Sequence, residues 1–83
     1  MSYEEIKDLE GIVLSHHNTK DVELKEDMNL IEDLGYDSVS VMGVIGAIEE
    51  RFDIEFEFED LNEDFLVYGN LLKIVNSKLS DNK

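Results

Sequence analysis

Cysteine and proline are both absent from this chain of 83 residues, and bases are scarce: seven lysines and arginines stand against 21 aspartates and glutamates. Lack of cysteine excludes disulfides, thiolate metal sites and cysteine nucleophiles, so any thiol chemistry must be imported. No apolar run is long enough to span a bilayer. The opening stretch MSYEEIKDLE is acidic and lacks the hydrophobic segment of a signal peptide, which makes a cytoplasmic location the expectation. The formal net charge of -14 is spread along the chain rather than gathered in a tail. Such a field repels nucleic-acid phosphates and anionic lipid, and it steers basic protein surfaces inward. Neither nucleic acid nor membrane is expected as a partner, and the chain is expected to be a monomer. Its length makes one small domain, 1–83, with about 80–83 as a polar tail. That leaves room for a modest core but not for a deep catalytic cleft.

What is present is helical periodicity, twice interrupted. Ile6, Leu9 and Val13 recur at helical spacing, with Ile12 one place off the stripe. Ser2 before Glu4 and Glu5 suits an N-cap, so a first helix is expected from about 3 to 16. His16 and His17 fall at its end, where partial positive charge suits the helix dipole better than a catalytic or metal role. Residues 18–37 hold no sustained period. Asn18, Asp21, Asp27, Asn29 and Gly35 punctuate them, while Val22, Leu24, Met28, Leu30 and Leu34 are scattered anchors. They read as a long ordered loop wrapped over the core.

From Ser38 the period returns, with Val41, Val44, Ile45, Ile48 and Phe52 as one buried stripe of a helix over 38–52. Gly43 and Gly46 each weaken that helix by about 1 kcal/mol relative to alanine. Either they let a partner approach closely, or they relieve crowding against a neighbouring element. DIEFEFED alternates as a strand would, but an isolated strand is not stable. An extended connector burying Ile54 and Phe56 is expected instead, then a short helix near 61–65. A last helix carries Tyr68, Leu71, Leu72, Val75 and Leu79 on one face. The fold class is therefore all-α: a small antiparallel four-helix bundle, three longer helices and one short, with a long loop between the first two.

The segment LIEDLGYDSVS, residues 30–40, sets a lone serine where the second helix begins. A serine nucleophile needs a base and an oxyanion hole, and GYDSVS is neither the G-x-S-x-G elbow nor preceded by a strand. Calcium binding fails on spacing. DMNLIEDLGYDS puts Ile31 at a ligand position, Glu32 where glycine belongs and Ser38 where the closing glutamate belongs. No metal site is expected, beyond weak and unspecific cation attraction at Asp53, Glu55, Glu57, Glu59 and Asp60. Two local readings of Ser38 stand. It can be the N-cap itself; or Asp37 caps, and Ser38 occupies the first helical position with its hydroxyl in solvent, where helix N–H groups favour an attached phosphate.

DLGYDSVSVMGVIGAIEERFDIEF closely resembles the acyl carrier protein signature, Leu-Gly-x-Asp-Ser-Leu followed by an amphipathic helix ending in Glu-Glu-x-Phe-x-Ile. The matching positions are Leu34, Gly35, Asp37, Ser38, Val39, Glu49, Glu50, Phe52 and Ile54. The resemblance implies a non-enzymatic carrier domain. A phosphopantetheinyl transferase would use magnesium and coenzyme A to place a 4′-phosphopantetheine arm on Ser38, and the arm's thiol would hold acyl groups as thioesters. Asp37 would orient the transferase and its metal, Gly35 would permit the turn, and Val39 would be a shorter anchor than the family's leucine. Val39, Met42, Gly43, Gly46, Glu49 and Glu50 are the expected face for the transferase and for acyl-loading and acyl-processing enzymes with basic surfaces.

Departures from the family pattern are specific. Ser40 and Gly43 stand where many fatty-acid carriers have acids, Glu57 replaces a proline, and Phe58 is unexpectedly apolar. Fatty-acid or polyketide-type synthesis is the leading role. A peptidyl or aminoacyl carrier, a D-alanyl carrier and an unmodified acidic interaction module are the alternatives; Asp37, where peptidyl carriers commonly have histidine, favours the acyl type.

Overall fold

The structure, a computed structural model, describes residues 1–15 and 23–81. α1 (Tyr3–Leu14) starts on a capping box: the Glu5 N–H donates to Ser2 Oγ at 3.2 Å and the Ser2 N–H to Glu5 Oε1 at 2.8 Å. These bonds satisfy two N–H groups at the helix start. The helix closes earlier than the expected residue 16, because the Ser15 hydroxyl donates to the Ile12 carbonyl at 2.6 Å and the Ser15 N–H to the same oxygen at 3.1 Å. His16, His17 and Val22 lie outside the described residues.

α2 (Ser38–Phe52) has the expected bounds and buries Val41, Val44, Ile45, Ile48 and Phe52. It stops at Asp53, whose φ of 53° is left-handed, and there the Ile54 N–H takes up the Glu49 carbonyl. The chain continues as the expected connector, with Ile54 and Phe56 buried. The short helix expected near 61–65 is instead two 3-10 turns, Phe58–Asp60 and Glu63–Leu66. Local caps divide it. Asp60 Oδ2 accepts the Glu57 N–H at 2.7 Å, Leu61 closes the first turn, and Asn62 Oδ1 accepts the Asp64 N–H at 2.9 Å to begin the second. α3 (Tyr68–Asp81) buries Tyr68, Leu71 and Val75, with Leu72 and Leu79 half-buried, and runs into the segment expected as a polar tail.

Among the described residues the protein is all-helical, with three α-helices and no strand; a single bridge pairs Asn29 with Val67. Around that bridge the Leu30 N–H donates to the Leu66 carbonyl, the Tyr68 N–H to Met28 and the Gly69 N–H to Glu26, at 2.8–2.9 Å. Gly69 suits this seam, since a Cβ there would lie 3.0 Å from the Glu26 carbonyl oxygen, tighter than most such contacts. The described part of the first loop is thus sewn to the start of α3. Leu30 and Leu34 are buried in the core formed with α1, α2 and α3, while Leu24 and Met28 pack at its margin, as expected of the anchors. The amino terminus donates to Asn76 Oδ1 at 2.9 Å, tying the chain's start to α3.

Candidate functional site

The approach to Ser38 is a chain of local hydrogen bonds. Asn29 Oδ1 accepts the N–H groups of Ile31 and Glu32 at 2.8 and 3.0 Å, while the Asn29 N–H donates to Asp33 Oδ2 at 2.7 Å. The helical turn so initiated ends at Gly35, whose φ of 74° is open to glycine at little cost. Gly35 and Tyr36 donate back to the carbonyls of Ile31 and Leu30 at 3.0 Å. Tyr36 then turns inward, 5% exposed, and its hydroxyl donates to the Val13 carbonyl at 2.6 Å. This bond reaches a carbonyl in the last turn of α1 and fixes the residue two before the serine. Sequence reasoning missed Tyr36 and Asn29. The signals were an aromatic inside a turn motif and an Asx residue ahead of an apolar run.

Asp37 is the N-cap of α2, accepting the Ser40 N–H at Oδ1, 2.8 Å. That N–H, and then the Ser40 hydroxyl, hold the Asp37 carboxyl below the usual carboxylate range. Of the two local readings of Ser38, the geometry selects the second. Ser38 is the first residue of α2 and is exposed, so its hydroxyl is not consumed as the cap. An exposed hydroxyl at the N-terminus of a 15-residue helix, with an ionised carboxylate beside it, can accept a phosphodiester-linked group.

The other expected residues divide into two sets. Val39 is 79% exposed and Met42 52% exposed, and Gly43, Gly46 and Glu50 are exposed beside them. Val39 therefore anchors nothing in this chain's own core. A Cβ at Gly46 would meet nothing within 4 Å, so crowding does not explain that glycine. Glu49 and Ser40 are turned to internal work instead. Glu49 is half-buried and its Oε2 accepts the Phe56 N–H at 2.9 Å, fastening the connector to α2. Ser40, half-buried, belongs to the Asp37 cap.

The connector acids do not gather into a cation site; among the described residues no three acidic or histidine side chains come together to hold a metal. Asp60 is committed to Lys78, 2.7 Å away, and that ammonium holds the carboxyl below its usual range. Arg51 pairs with Asp8 across the α1–α2 seam. No helix among the described residues is long and apolar enough to cross a membrane.

A family model described as a phosphopantetheine attachment site matches residues 6–75. The chain is 36% identical over 70 residues to an acyl carrier protein of Sulfurovum sp. (strain NBC37-1), covering 84% of this chain and 92% of that one. An acyl carrier protein of Wolinella succinogenes is 31% identical over 70 residues, 84% of this chain and 91% of its own. One of Prochlorococcus marinus (strain MIT 9515) is 34% identical over 79 residues, 94% of this chain and 98% of its own.

Proposed function

This chain belongs to the acyl carrier protein family, and from that premise we propose that Ser38 bears the phosphopantetheine arm and delivers acyl intermediates of fatty-acid or polyketide-type synthesis. Members of the family are carriers rather than enzymes and hold a covalent 4′-phosphopantetheine. The observation that carries the assignment is the position of Ser38, exposed at the first turn of α2 directly after a capping aspartate. When attached, the arm supplies the thiol that the cysteine-free chain lacks. Everything else is the work of the chain's own residues. Gly35 turns the backbone, Tyr36 locks that turn to the end of α1, and Asp37 caps the start of α2 without using the serine's oxygen. Asp37, kept ionised, is placed to meet the metal and cationic groups of a transferase. The exposed α2 residues Val39, Met42, Gly43, Gly46 and Glu50 form the face offered to it and to acyl-processing enzymes.

The architecture reads as a four-element carrier bundle in which the two 3-10 turns stand for the short third helix and residues 23–37 for the described part of the first loop. A monomeric cytoplasmic protein suits this role. Asp37 in place of a histidine favours acyl over aminoacyl cargo. The test offers the arm-bearing and arm-free protein to an acyl-loading enzyme and to an amino-acid-adenylating enzyme, with thioester measured by mass. The reading predicts an acyl thioester on the arm-bearing form alone; aminoacyl loading in its place would transfer the protein to the peptidyl class.

A further inference from the structure

Phe58 is 96% exposed, the most exposed large apolar side chain among the described residues, so the fold gains almost nothing from it. Its backbone is nevertheless held firmly. It begins the 3-10 turn Phe58–Asp60, whose Asp60 accepts the Glu57 N–H at 2.7 Å and pairs with Lys78 of α3 at the same distance. Two residues earlier Phe56 is buried, with the Lys78 ammonium 5.9 Å from its ring centre. The turn is thus clamped from below while Phe58 projects outward. The segment that carries it is acidic: seven of the twelve residues 53–64 are acids and none is a base, and the nearby Lys78 of α3 is taken up by Asp60. Glu55, Glu57 and Glu59 are all exposed.

A single exposed apolar side chain is ordinary on a protein surface. A phenyl ring presented from a hydrogen-bonded turn within an acidic segment is a more specific arrangement. It combines an aromatic anchor, the residue type that dominates interface energies, with a charged rim that selects the partner. We infer that Phe58, on the connector after α2, is a second docking point for a partner enzyme presenting an apolar socket ringed by lysine and arginine side chains. This rests on the carrier reading above, since the partner is an enzyme that works on the attached cargo. Phe58 fills the socket, and Glu55 and Glu59 meet its cationic rim. Because the Asp60–Lys78 pair already orders the turn, little backbone freedom is lost on docking.

The test uses the arm-bearing protein with a photo-cross-linking benzoylphenylalanine at position 58, irradiated in extract of its own cells at low and high salt. The cross-linked enzyme is identified, purified and titrated with the wild-type protein, Phe58→Ser, and a Glu55→Lys/Glu59→Lys double variant. Expected are a cross-link to an apolar site flanked by basic residues and its loss at high salt. Both variants should bind roughly tenfold or more weakly. No salt-sensitive cross-link, or variants binding as the wild type does, overturns the docking point. Circular dichroism of each variant verifies that α1, α2 and α3 persist. Intact mass of the same wild-type sample separates the two readings: no arm on the chain brings down the carrier assignment and this proposal with it, whereas a full arm with unchanged variant binding removes the docking point alone.

Discussion

Two buried tyrosines differ in one respect that stability measurements can read. Tyr36 donates its hydroxyl to the Val13 carbonyl at 2.6 Å, whereas the Tyr68 hydroxyl is buried with no hydrogen-bond partner among the described residues. Removing the first deletes a buried hydrogen bond; removing the second relieves a donor unmet among the described residues. Tyr36→Phe is therefore expected to cost about 1 kcal/mol in urea unfolding, and Tyr68→Phe to cost nothing or to stabilise by up to about 1 kcal/mol. Burial, then the charges of Glu10 and Glu26, raise the Tyr68 hydroxyl to about 12 from 10.0. A folded-state value above the unfolded one favours the native state fully below pH 10, and that advantage is lost as pH rises toward 12. Wild type should weaken across that window more than Tyr68→Phe does; equal alkaline profiles would contradict this account of Tyr68. The helix start at Asp37 and Ser38 was legible in the sequence because cap and turn chemistry is local, while which of the two caps was left to the geometry. Tyr36 was not, because its partner lies 23 residues away.

At the scale of elements, α2 was legible in full and the segment after it was not. Five apolar residues at helical spacing leave one solution for 38–52, and the buried set is the expected one. The expected short helix at 61–65 became two 3-10 turns because Asp60 and Asn62 each capture a nearby backbone N–H, a competition that periodicity does not register. Inside α2, Gly46 has open space around its Cβ position and a helical backbone. Gly46→Ala is expected to stabilise the fold by about 1 kcal/mol, or roughly 4–8 °C in melting temperature for a domain of this size. If the glycine persists for the sake of a close partner, the same variant should bind its processing enzyme more weakly while melting higher. Thermal melts and a binding titration on one preparation test both; a lower melting temperature would refute the open-space argument.

At the scale of the molecule the charge dominates. With 21 acids and seven bases the native state repels itself, and the ion pairs of Arg51 with Asp8 and Lys78 with Asp60 offset only part of that. Raising ionic strength from about 0.01 to 0.15 M shortens the screening length from about 30 to 8 Å. The melting temperature should climb over this range, and millimolar magnesium should add to it without saturating at one site, since no three-ligand cluster exists among the described residues. A flat salt profile would show that self-repulsion is not limiting. Acidity and the lack of cysteine were plain in the sequence, and the second makes sense in a carrier whose thiol comes with its phosphopantetheine group. The measurement that bears most directly on that account is intact mass after incubation with coenzyme A, magnesium and a broad-specificity phosphopantetheinyl transferase. The account predicts a gain of one phosphopantetheine per wild-type chain and no gain for Ser38→Ala; an unmodified wild type, or an alanine variant that still takes the arm, would contradict it.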